Sequence, residues 1–189
     1  MKTWFTSDLH FFHRNIVKFT NRGVETNEES HNEWLVDIWN STVSRSDIVY
    51  HLGDLSFAKD VKKTLGILDR LNGNIHLIKG NHDHSDNFKK IAQHNRVTTH
   101  IYLERKFEEQ EAIMFHFPIG SWHKQHRGSW HLHGHSHGGY QEGKGKILDV
   151  GIDNAYNLYG KHKFFDWEMI KEYMHAREEH IADEHRSNL

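Results

Sequence analysis

Five short segments of the chain carry aspartate, asparagine and histidine at spacings that suit metal binding. They are Asp8-Leu9-His10, Gly53-Asp54, Gly80-Asn81-His82-Asp83, His116 and Gly134-His135-Ser136-His137. Carboxylate, amide oxygen and imidazole nitrogen suit Mn, Fe, Zn, Ni or Co, and the chain has no cysteine that could offer a thiolate. The set is larger than one open catalytic ion requires. It therefore predicts two ions that share a bridging carboxylate.

An apolar run that predicts a β-strand precedes each of these segments. The predicted strands cover 2–7, 48–52, 75–79, 112–115 and 130–132 before the five segments, and 97–103 and 147–150 elsewhere. In α/β proteins, ligands bind beyond the carboxyl ends of the strands. Glycine directly before the polar group in three segments permits a tight turn and a close approach of the backbone. The five loops are therefore expected to converge on one site.

Helical patterns lie between several of the strands. Thr26 and Glu29 form a capping-box signature, and apolar residues follow at helical spacing over 34–39 and again over 61–71. A last helix is predicted near 165–167, with Asp166 as its N-cap. Residues 177–189 are predicted to be a frayed, charged tail. Because helices and strands alternate early and strands cluster later, the pattern predicts an α/β layered fold.

Length and composition set the class of protein. The 189 residues predict a single domain over 1–189, and a net charge of −2 gives no basic excess for binding duplex nucleic acid. No stretch of 18 apolar residues predicts a membrane span. The N-terminus reaches Asp8 too soon for a signal peptide. We therefore expect a cytoplasmic protein with no membrane partner; the sequence leaves its oligomeric state open.

The ordered segments resemble the calcineurin-like metallophosphoesterase superfamily over Asp8 to His137. The shared order is Asp-x-His, Gly-Asp, Gly-Asn-His-Asp, His and Gly-His-x-His. The stretches 6–15 and 122–138 are similar to small bacterial and phage phosphoesterases. Phe115 departs from the family pattern, in which a small residue often precedes the histidine. The resemblance implies two packed mixed β-sheets flanked by helices, a four-layer αββα sandwich.

Carried over by position, the resemblance implies a role for each polar residue. One metal ion would be held by Asp8, His10 and His137, the other by Asn81, His116 and His135, and Asp54 would bridge the two. The metals would be divalent transition ions, with Mn favoured over Fe, Zn, Ni or Co. A hydroxide between the ions would attack phosphorus, His82 would protonate the leaving group, and Asp83 would orient the His82 ring.

The sequence accordingly predicts a phosphoesterase with a small phosphate-ester substrate. A phosphodiesterase acting on a small nucleotide is favoured over a phosphomonoesterase or a nuclease acting on nucleic-acid ends. A non-enzymatic scaffold is disfavoured because all seven ligand positions and the acid are present. His13, Arg14 and Asn15 follow the first ligand loop and are candidate substrate contacts, since a guanidinium suits phosphate oxygens.

Several other polar and aromatic residues lie close to these segments. We expect His123, His126, His131 and His133 to be solvent or packing residues, and Trp122 and Trp130 to be core residues. Asp153 is expected to serve a strand-to-turn connection, with a contact to a metal ligand as the alternative.

Overall fold

The computed structural model of the protein describes residues 1–24, 27–140 and 145–178. In chain order its strands are β1 (Thr3–Thr6), β2 (Ile48–His51), β3 (Asn74–Ile78), β4 (Val97–His100), β5 (Tyr102–Phe107), β6 (Gln110–Phe115), β7 (Trp130–His133), β8 (Ile147–Asp149) and β9 (Phe165–Asp166). Its helices are α1 (Ile16–Phe19), α2 (Glu28–Thr42), α3 (Val61–Arg70), α4 (Ser85–Ile91), α5 (Ile152–Tyr159) and α6 (Trp167–His175).

The strands form two mixed sheets. In the first, of order β4-β3-β2-β1-β9, the pairs from β1 to β4 are parallel and β9 is antiparallel to β1. In the second, of order β5-β6-β7-β8, β5 is antiparallel to β6 and the other pairs are parallel. The predicted α/β fold with two mixed sheets is confirmed.

The two sheets pack face to face through a shared apolar core. Phe5 and Leu52, in or next to the first sheet, lie in one buried cluster with Met114 and Leu132 of the second sheet. Helix α6 adds Ile170 to this cluster. A second cluster fills the opposite face of the first sheet, where α2, α3 and α4 cover it. Burial of these side chains supplies the main driving force for the layered arrangement.

The outer face of the second sheet is covered more thinly. Ile113 and Ile147 pack there against Trp122, which precedes a short 3-10 helix at Gln125–Arg127. Trp122 and Trp130 are both buried, as predicted for core residues.

One predicted strand is in fact two strands in different sheets. The apolar run 97–103 is interrupted at Ile101, because β4 completes the first sheet and β5 begins the second. Periodicity alone does not reveal such a crossover, since both halves keep strand-like residues. Ile101 is 60% exposed at the junction.

Two predicted helix starts have different outcomes. Asp166 is the N-cap of α6, and its Oδ1 accepts a 2.9 Å hydrogen bond from the backbone N–H of Met169, as predicted. The other prediction placed a capping box at Thr26, which lies outside the described residues. Helix α2 begins at Glu28 with Asn27 as its N-cap, and the Asn27 side chain accepts from Ser30 N–H.

Residues 179–189 of the predicted tail also lie outside the described residues. Among the helices that the structure describes, none combines the length and apolar character needed to cross a bilayer.

Candidate metal centre

The polar segments meet where the carboxyl ends of strands from both sheets come together. The residues at this edge are Asp8 and His10 after β1, Asp54 after β2, Asn81 after β3, His116 after β6, and His135 and His137 after β7. A parallel bridge between Ser7 and Gly151 joins the ends of β1 and β8 across the two sheets. The Asp8 N–H donates to Gly53 O at 3.0 Å, which holds the first two loops side by side.

Asp8, His10 and His137 form the first group of potential ligands. One ligand atom from each lies within 4.8 Å of the others. His10 Nε2 is 3.9 Å from Asp8 Oδ1, and the His10 and His137 rings stack with centroids 5.1 Å apart. The family resemblance implied the same three residues as ligands of one ion.

Asn81, His116 and His135 form the second group. The Asn81 Oδ1 lies 2.9 Å from His116 Nε2 and 2.9 Å from His135 Nδ1. An amide oxygen and two imidazole nitrogens thus point at a common volume, as the ligands of one ion must. His135 is exposed, so this group opens to solvent.

Asp54 lies between the two groups. Its Oδ2 is 3.8 Å from His10 Nε2 and 3.5 Å from His116 Nε2. Asp8 also approaches the second group, since ligand atoms of the Asp8 carboxylate, the Asp54 carboxylate and the His116 ring lie within 4.8 Å of one another. Both carboxylates are buried. The arrangement suits a carboxylate that serves both ions.

The backbone of the ligand loops is strained in a consistent way. Among the described residues, eight that are not glycine have positive φ, and five of them are potential ligands: Asp8, His10, Asp54, His135 and His137. A non-glycine residue in this region is uncommon and is retained where the surroundings enforce it. The loops are therefore locally less stable than relaxed loops, and this backbone conformation directs the five side chains toward the shared site.

Glycine is required where two ligand loops touch. A Cβ on Gly80 would overlap the Asp54 carboxylate, and a Cβ on Gly134 would overlap Ser7 Oγ and lie 2.6 Å from Asp8 Oδ2. These two glycines account for the Gly-Asn-His-Asp and Gly-His-x-His patterns, since any side chain there would push the loops apart.

The buried polar atoms of the site fit a cation. Asp8 Oδ1 and both ring nitrogens of His10 are buried with no hydrogen-bond partner. Such atoms carry a large desolvation cost unless they are paired or bind metal. Burial raises the pKa of Asp8 to about 7, although the neighbouring His137 and His116 oppose that shift. A divalent ion would keep this carboxylate ionised, so the residues present suit one.

The imidazoles respond to burial in different ways. Burial lowers the pKa of His10 well below its ordinary value, which leaves a neutral ring able to bind metal. Burial also disfavours the charged form of His116, but Asp54 and Asp8 outweigh it and raise the pKa of His116 to about 9. His116 Nδ1 donates to Leu52 O at 2.7 Å. That bond orients the ring so that Nε2 faces Asn81.

His82 lies beside the cluster and reaches solvent. Its side chain is 44% exposed, and its Nε2 is 4.0 Å from Asp54 Oδ2. Its backbone N–H donates to Asp54 Oδ1 at 2.8 Å, and its ring packs on Phe57 with centroids 4.5 Å apart. The His82 ring can therefore reach a small molecule bound at the cluster.

The structure assigns Asp83 a different task from the predicted one. Its buried carboxylate accepts backbone N–H groups from Asp54 at 2.9 Å, Leu55 at 3.1 Å and Gly80 at 2.9 Å. With both oxygens directed at backbone amides, Asp83 fastens the Asp54 loop to the Gly80 loop and does not orient the His82 ring. The correction has a simple cause, because buried amides at a tight turn compete for the nearest carboxylate.

Of the three predicted substrate contacts, only His13 lies against the cluster. Its ring is 4.0 Å from that of Phe57 and 5.5 Å from that of His10. Arg14 is exposed and faces acidic residues at the start of α2, such as Glu29. Asn15 is exposed at the N-terminus of α1. Neither Arg14 nor Asn15 makes a described contact with the ligand groups, and their contact with substrate stays a prediction.

Buried polar residues lie next to the ligands, and the sequence analysis assigned no role to one of them, Arg22. Asp153, in the first turn of α5, accepts a 2.7 Å hydrogen bond from His137 Nδ1, which agrees with the alternative to the expected turn role. Arg22 pairs with Asp153 at 2.7 Å. Burial raises the pKa of Asp153, but His137 and Arg22 outweigh it and lower that pKa to about 2. Asp149 accepts from Ser136 Oγ at 3.0 Å and Gly138 N–H at 2.9 Å.

The remaining histidines near the last ligand loop behave as expected. His131 and His133 are buried within the second sheet. His123 is half exposed and pairs with Glu104 at 2.7 Å, and His126 is exposed. These four take no part in the ligand groups that the structure describes.

Relatives of the chain occur in an archaeon and in phages. The uncharacterized protein MJ1445 of Methanocaldococcus jannaschii is 37% identical over 137 residues, which are 72% of this chain and 69% of that protein. The gene 66 protein of Mycobacterium phage L5 is 27% identical over an alignment of 193 positions that covers 87% of this chain and 92% of the phage protein. No family model matches the chain.

Two solved structures share the architecture to different degrees. The protein of unknown function AQ665 from Aquifex aeolicus aligns over 91% of this chain and 98% of its own, with a TM-score of 0.66 and 18% identity. That likeness shows the fold alone. YfcE, a phosphoesterase from E. coli, aligns over 80% of this chain and 78% of its own, with a TM-score of 0.45 and 17% identity. The second likeness is too low to bear on function.

Proposed function

The chain belongs to the same family as MJ1445 of Methanocaldococcus jannaschii, and we propose that it is a phosphoesterase that requires two divalent metal ions. One observation carries the proposal: two groups of ligand atoms, each suited to one ion, lie on either side of the Asp54 carboxylate. The order of the motifs supports membership of the calcineurin-like metallophosphoesterase superfamily.

The metal ions would be held by the two groups described above. Asp8, His10 and His137 would bind one ion, Asn81, His116 and His135 the other, and Asp54 both. Bound there, two divalent ions would supply a nucleophilic hydroxide at neutral pH and neutralise charge on the phosphoryl oxygens. Oxygen and imidazole ligands suit Mn, Fe, Zn, Ni or Co, and we propose Mn²⁺ among them.

The protein's own contribution is to hold the ligands rigidly and to move one proton. His82 Nε2 lies 4.0 Å from Asp54 Oδ2, and the exposed His82 ring would carry the proton to an ester bound at the cluster. Transfer of that proton to the leaving oxygen would assist departure of an alkoxide. Asp83 keeps the two loops that carry Asp54 and His82 together. Positioning of this kind provides much of the catalysis in phosphoryl transfer.

A small nucleotide is the substrate that we favour, because aromatic surface lies beside the second ligand group. The Phe117 ring is 36% exposed and its centroid is 4.6 Å from that of His135. Phe115 packs on Phe117 at 5.7 Å and on Tyr102, which is 40% exposed, at 6.2 Å. A nucleobase attached to a phosphate at the cluster could stack on this surface. Phe115, which departs from the family pattern, is part of this aromatic surface.

A screen of phosphate esters tests the activity. Metal-free protein supplemented with Mn²⁺ would be assayed against p-nitrophenyl phosphate, its bis ester, and 2′,3′- and 3′,5′-cyclic nucleotides. We expect hydrolysis that disappears on chelation and in Asp54→Ala. Asp86→Ala, which removes a carboxylate that is 90% exposed, is the matched control and should retain activity. Failure to hydrolyse any ester with metal bound would contradict the proposal.

The substrate class is tested separately at the aromatic surface. Phe117→Ala should raise KM for a nucleotide roughly 5- to 150-fold, given about 1–3 kcal/mol for a base stacked on an aromatic side chain. The KM for a phosphate diester with two small alkyl groups, such as dimethyl phosphate, should change little. Phe19→Ala is the control, since Phe19 is 76% exposed on α1, outside the ligand loops. Equal effects on both substrates would favour a non-nucleotide ester. Preferential cleavage of oligonucleotide ends would instead favour the nuclease alternative.

A further inference from the structure

Arg22 is a fully buried arginine whose donors are all engaged. Its side chain has no exposed surface. A guanidinium has five N–H groups, and each has a partner here. Nε contacts Asp153 Oδ1 at 3.0 Å, and Nη2 contacts Asp153 Oδ2 and Asp8 O, each at 2.7 Å. Nη1 contacts Leu9 O at 2.7 Å and His31 Nε2 at 3.0 Å. A residue with every donor satisfied in the interior has one defined orientation.

These contacts join the first ligand loop to helix α5, which supplies no ligand itself but contacts a ligand of the same group. The carbonyls of Asp8 and Leu9 belong to the first ligand loop, which has positive φ at Asp8. Asp153 belongs to the first turn of α5. Arg22 therefore holds the strained first loop against α5, and it does so through backbone oxygens that a change in the Asp8 side chain would leave in place.

Asp153 extends the connection to a ligand side chain. Its Oδ2 accepts from His137 Nδ1 at 2.7 Å, while both of its oxygens also accept from Arg22. A neutral imidazole with its proton on Nδ1 leaves Nε2 as the free nitrogen. Hydrogen bonding of this kind fixes the tautomer and the ring direction of a metal-binding histidine. The Arg22 charge balances that of Asp153, so the carboxylate can remain buried beside His137.

We propose that Arg22 and Asp153 are positioning residues that hold His137 and the Asp8 loop in their metal-binding arrangement. The inference rests on the proposed metal centre but concerns residues outside it. It goes beyond a buried ion pair that only stabilises the fold, because it requires the pair to set the tautomer of His137 and the affinity for metal.

Two readouts test the inference in the full-length protein. Affinity for Mn²⁺ would be measured by chelator competition, and the tautomer of His137 by ¹⁵N NMR of the histidine rings without metal, at alkaline pH where the ring is neutral. In Asp153→Asn and Arg22→Lys we expect affinity to fall roughly 10- to 100-fold. In Asp153→Asn the His137 ring should no longer be held as the Nδ1–H tautomer. Lysine cannot supply the two-pronged contact of a guanidinium.

A surface pair of the same chemistry provides the control. Arg70 bonds both oxygens of Glu33, at 2.8 and 2.5 Å, with both side chains about half exposed. Arg70→Lys should leave the affinity for Mn²⁺ and the histidine spectrum unchanged. A similar loss in this variant would mean that Arg-to-Lys changes act on the protein as a whole, and would overturn the inference.

Removal of one partner from a buried pair leaves an unpaired charge and can prevent folding. The double variant Arg22→Met with Asp153→Leu removes both charges at similar volume. We expect it to fold, as judged by near-ultraviolet circular dichroism, and to bind Mn²⁺ at least about 10-fold more weakly than wild type. Wild-type affinity in the folded double variant, or an unchanged His137 tautomer in Asp153→Asn, would overturn the inference. Wild-type protein that binds no Mn²⁺ would contradict the proposed function instead, and the tautomer measurement would still decide this inference.

Discussion

His82 Nε2 lies 4.0 Å from Asp54 Oδ2, on the solvent side of the carboxylate that joins the two ligand groups. The same Asp54 carboxylate accepts the backbone N–H of His82 at 2.8 Å. His82 is thus tied by its backbone to the centre of the cluster while its ring stays free to meet a substrate. A role in proton transfer and a role in binding metal predict different consequences when the ring is removed.

Replacement of His82 by alanine should leave metal content almost unchanged and lower kcat. The loss should depend on the leaving group, since an alkoxide needs a proton and a p-nitrophenolate leaves readily without one. A ribose or alkyl ester should lose about 10²- to 10⁴-fold, and a p-nitrophenyl ester much less. Turnover of both esters and metal content by mass spectrometry check this. Equal losses together with missing metal would identify His82 as a ligand.

Asp83→Asn should weaken the junction between two ligand loops. The carboxylate accepts at least three backbone N–H groups, and an amide would turn an NH₂ toward one of them. One unsatisfied buried donor costs about 1–3 kcal/mol, so the free energy of unfolding of the metal-free protein should fall by that order. Urea denaturation measures it, with Asp86→Asn as the exposed control. If stability holds and only esters with poor leaving groups suffer, Asp83 acts through His82 after all.

Buried neutral histidines should make the protein sensitive to acid. His51 is fully buried with neither ring nitrogen hydrogen-bonded, and burial lowers its pKa to about 3. The unfolded chain binds a proton at this residue below pH ~6.5, whereas the folded chain does not. The contribution of His51 is therefore fully present above that pH and is lost as pH falls toward 3, by about 1.4 kcal/mol per pH unit.

His51→Leu should remove this part of the pH dependence of stability. The free energy of unfolding at neutral pH should be similar or higher, because the substitution removes a buried polar group that has no hydrogen-bond partner. Unfolding free energies measured between pH 7 and 4 give the slope. His126→Gln, at an exposed histidine, is the control and should keep the wild-type slope. A wild-type slope in His51→Leu would show that the ring becomes charged without unfolding.

The α/β layers and the meeting of the polar strand ends could be predicted from local signals, whereas the division into two ligand groups was implied by the family resemblance. Apolar runs followed by Asp, Asn or His place these side chains at strand ends, and parallel pairing brings β1, β2 and β3 together. The split of 97–103 between two sheets escaped prediction, since Ile101 breaks no pattern. Asn27 caps α2, and Thr26, the predicted start of the capping box, lies outside the described residues.

The partners of side chains were harder to predict than their positions. Asp83 follows His82 in sequence, yet its carboxylate accepts from amides of the distant Asp54 loop as well as from Gly80. Arg22 lies 131 positions from Asp153 and has no motif around it. Contacts of this kind depend on how separate loops pack after the sheets have formed. A single sequence carries no local signal for them.

The most direct test of the two-metal phosphoesterase is a titration of metal-free protein with Mn²⁺, in which bound metal and hydrolysis of bis(p-nitrophenyl) phosphate are recorded together. We expect binding to approach two ions per chain and activity to rise with occupation of both. Chelation should abolish the activity and fresh Mn²⁺ should restore it. Asp54→Ala should lose both metal and turnover. Full activity with a single ion bound, or hydrolysis that persists after chelation, would contradict the account.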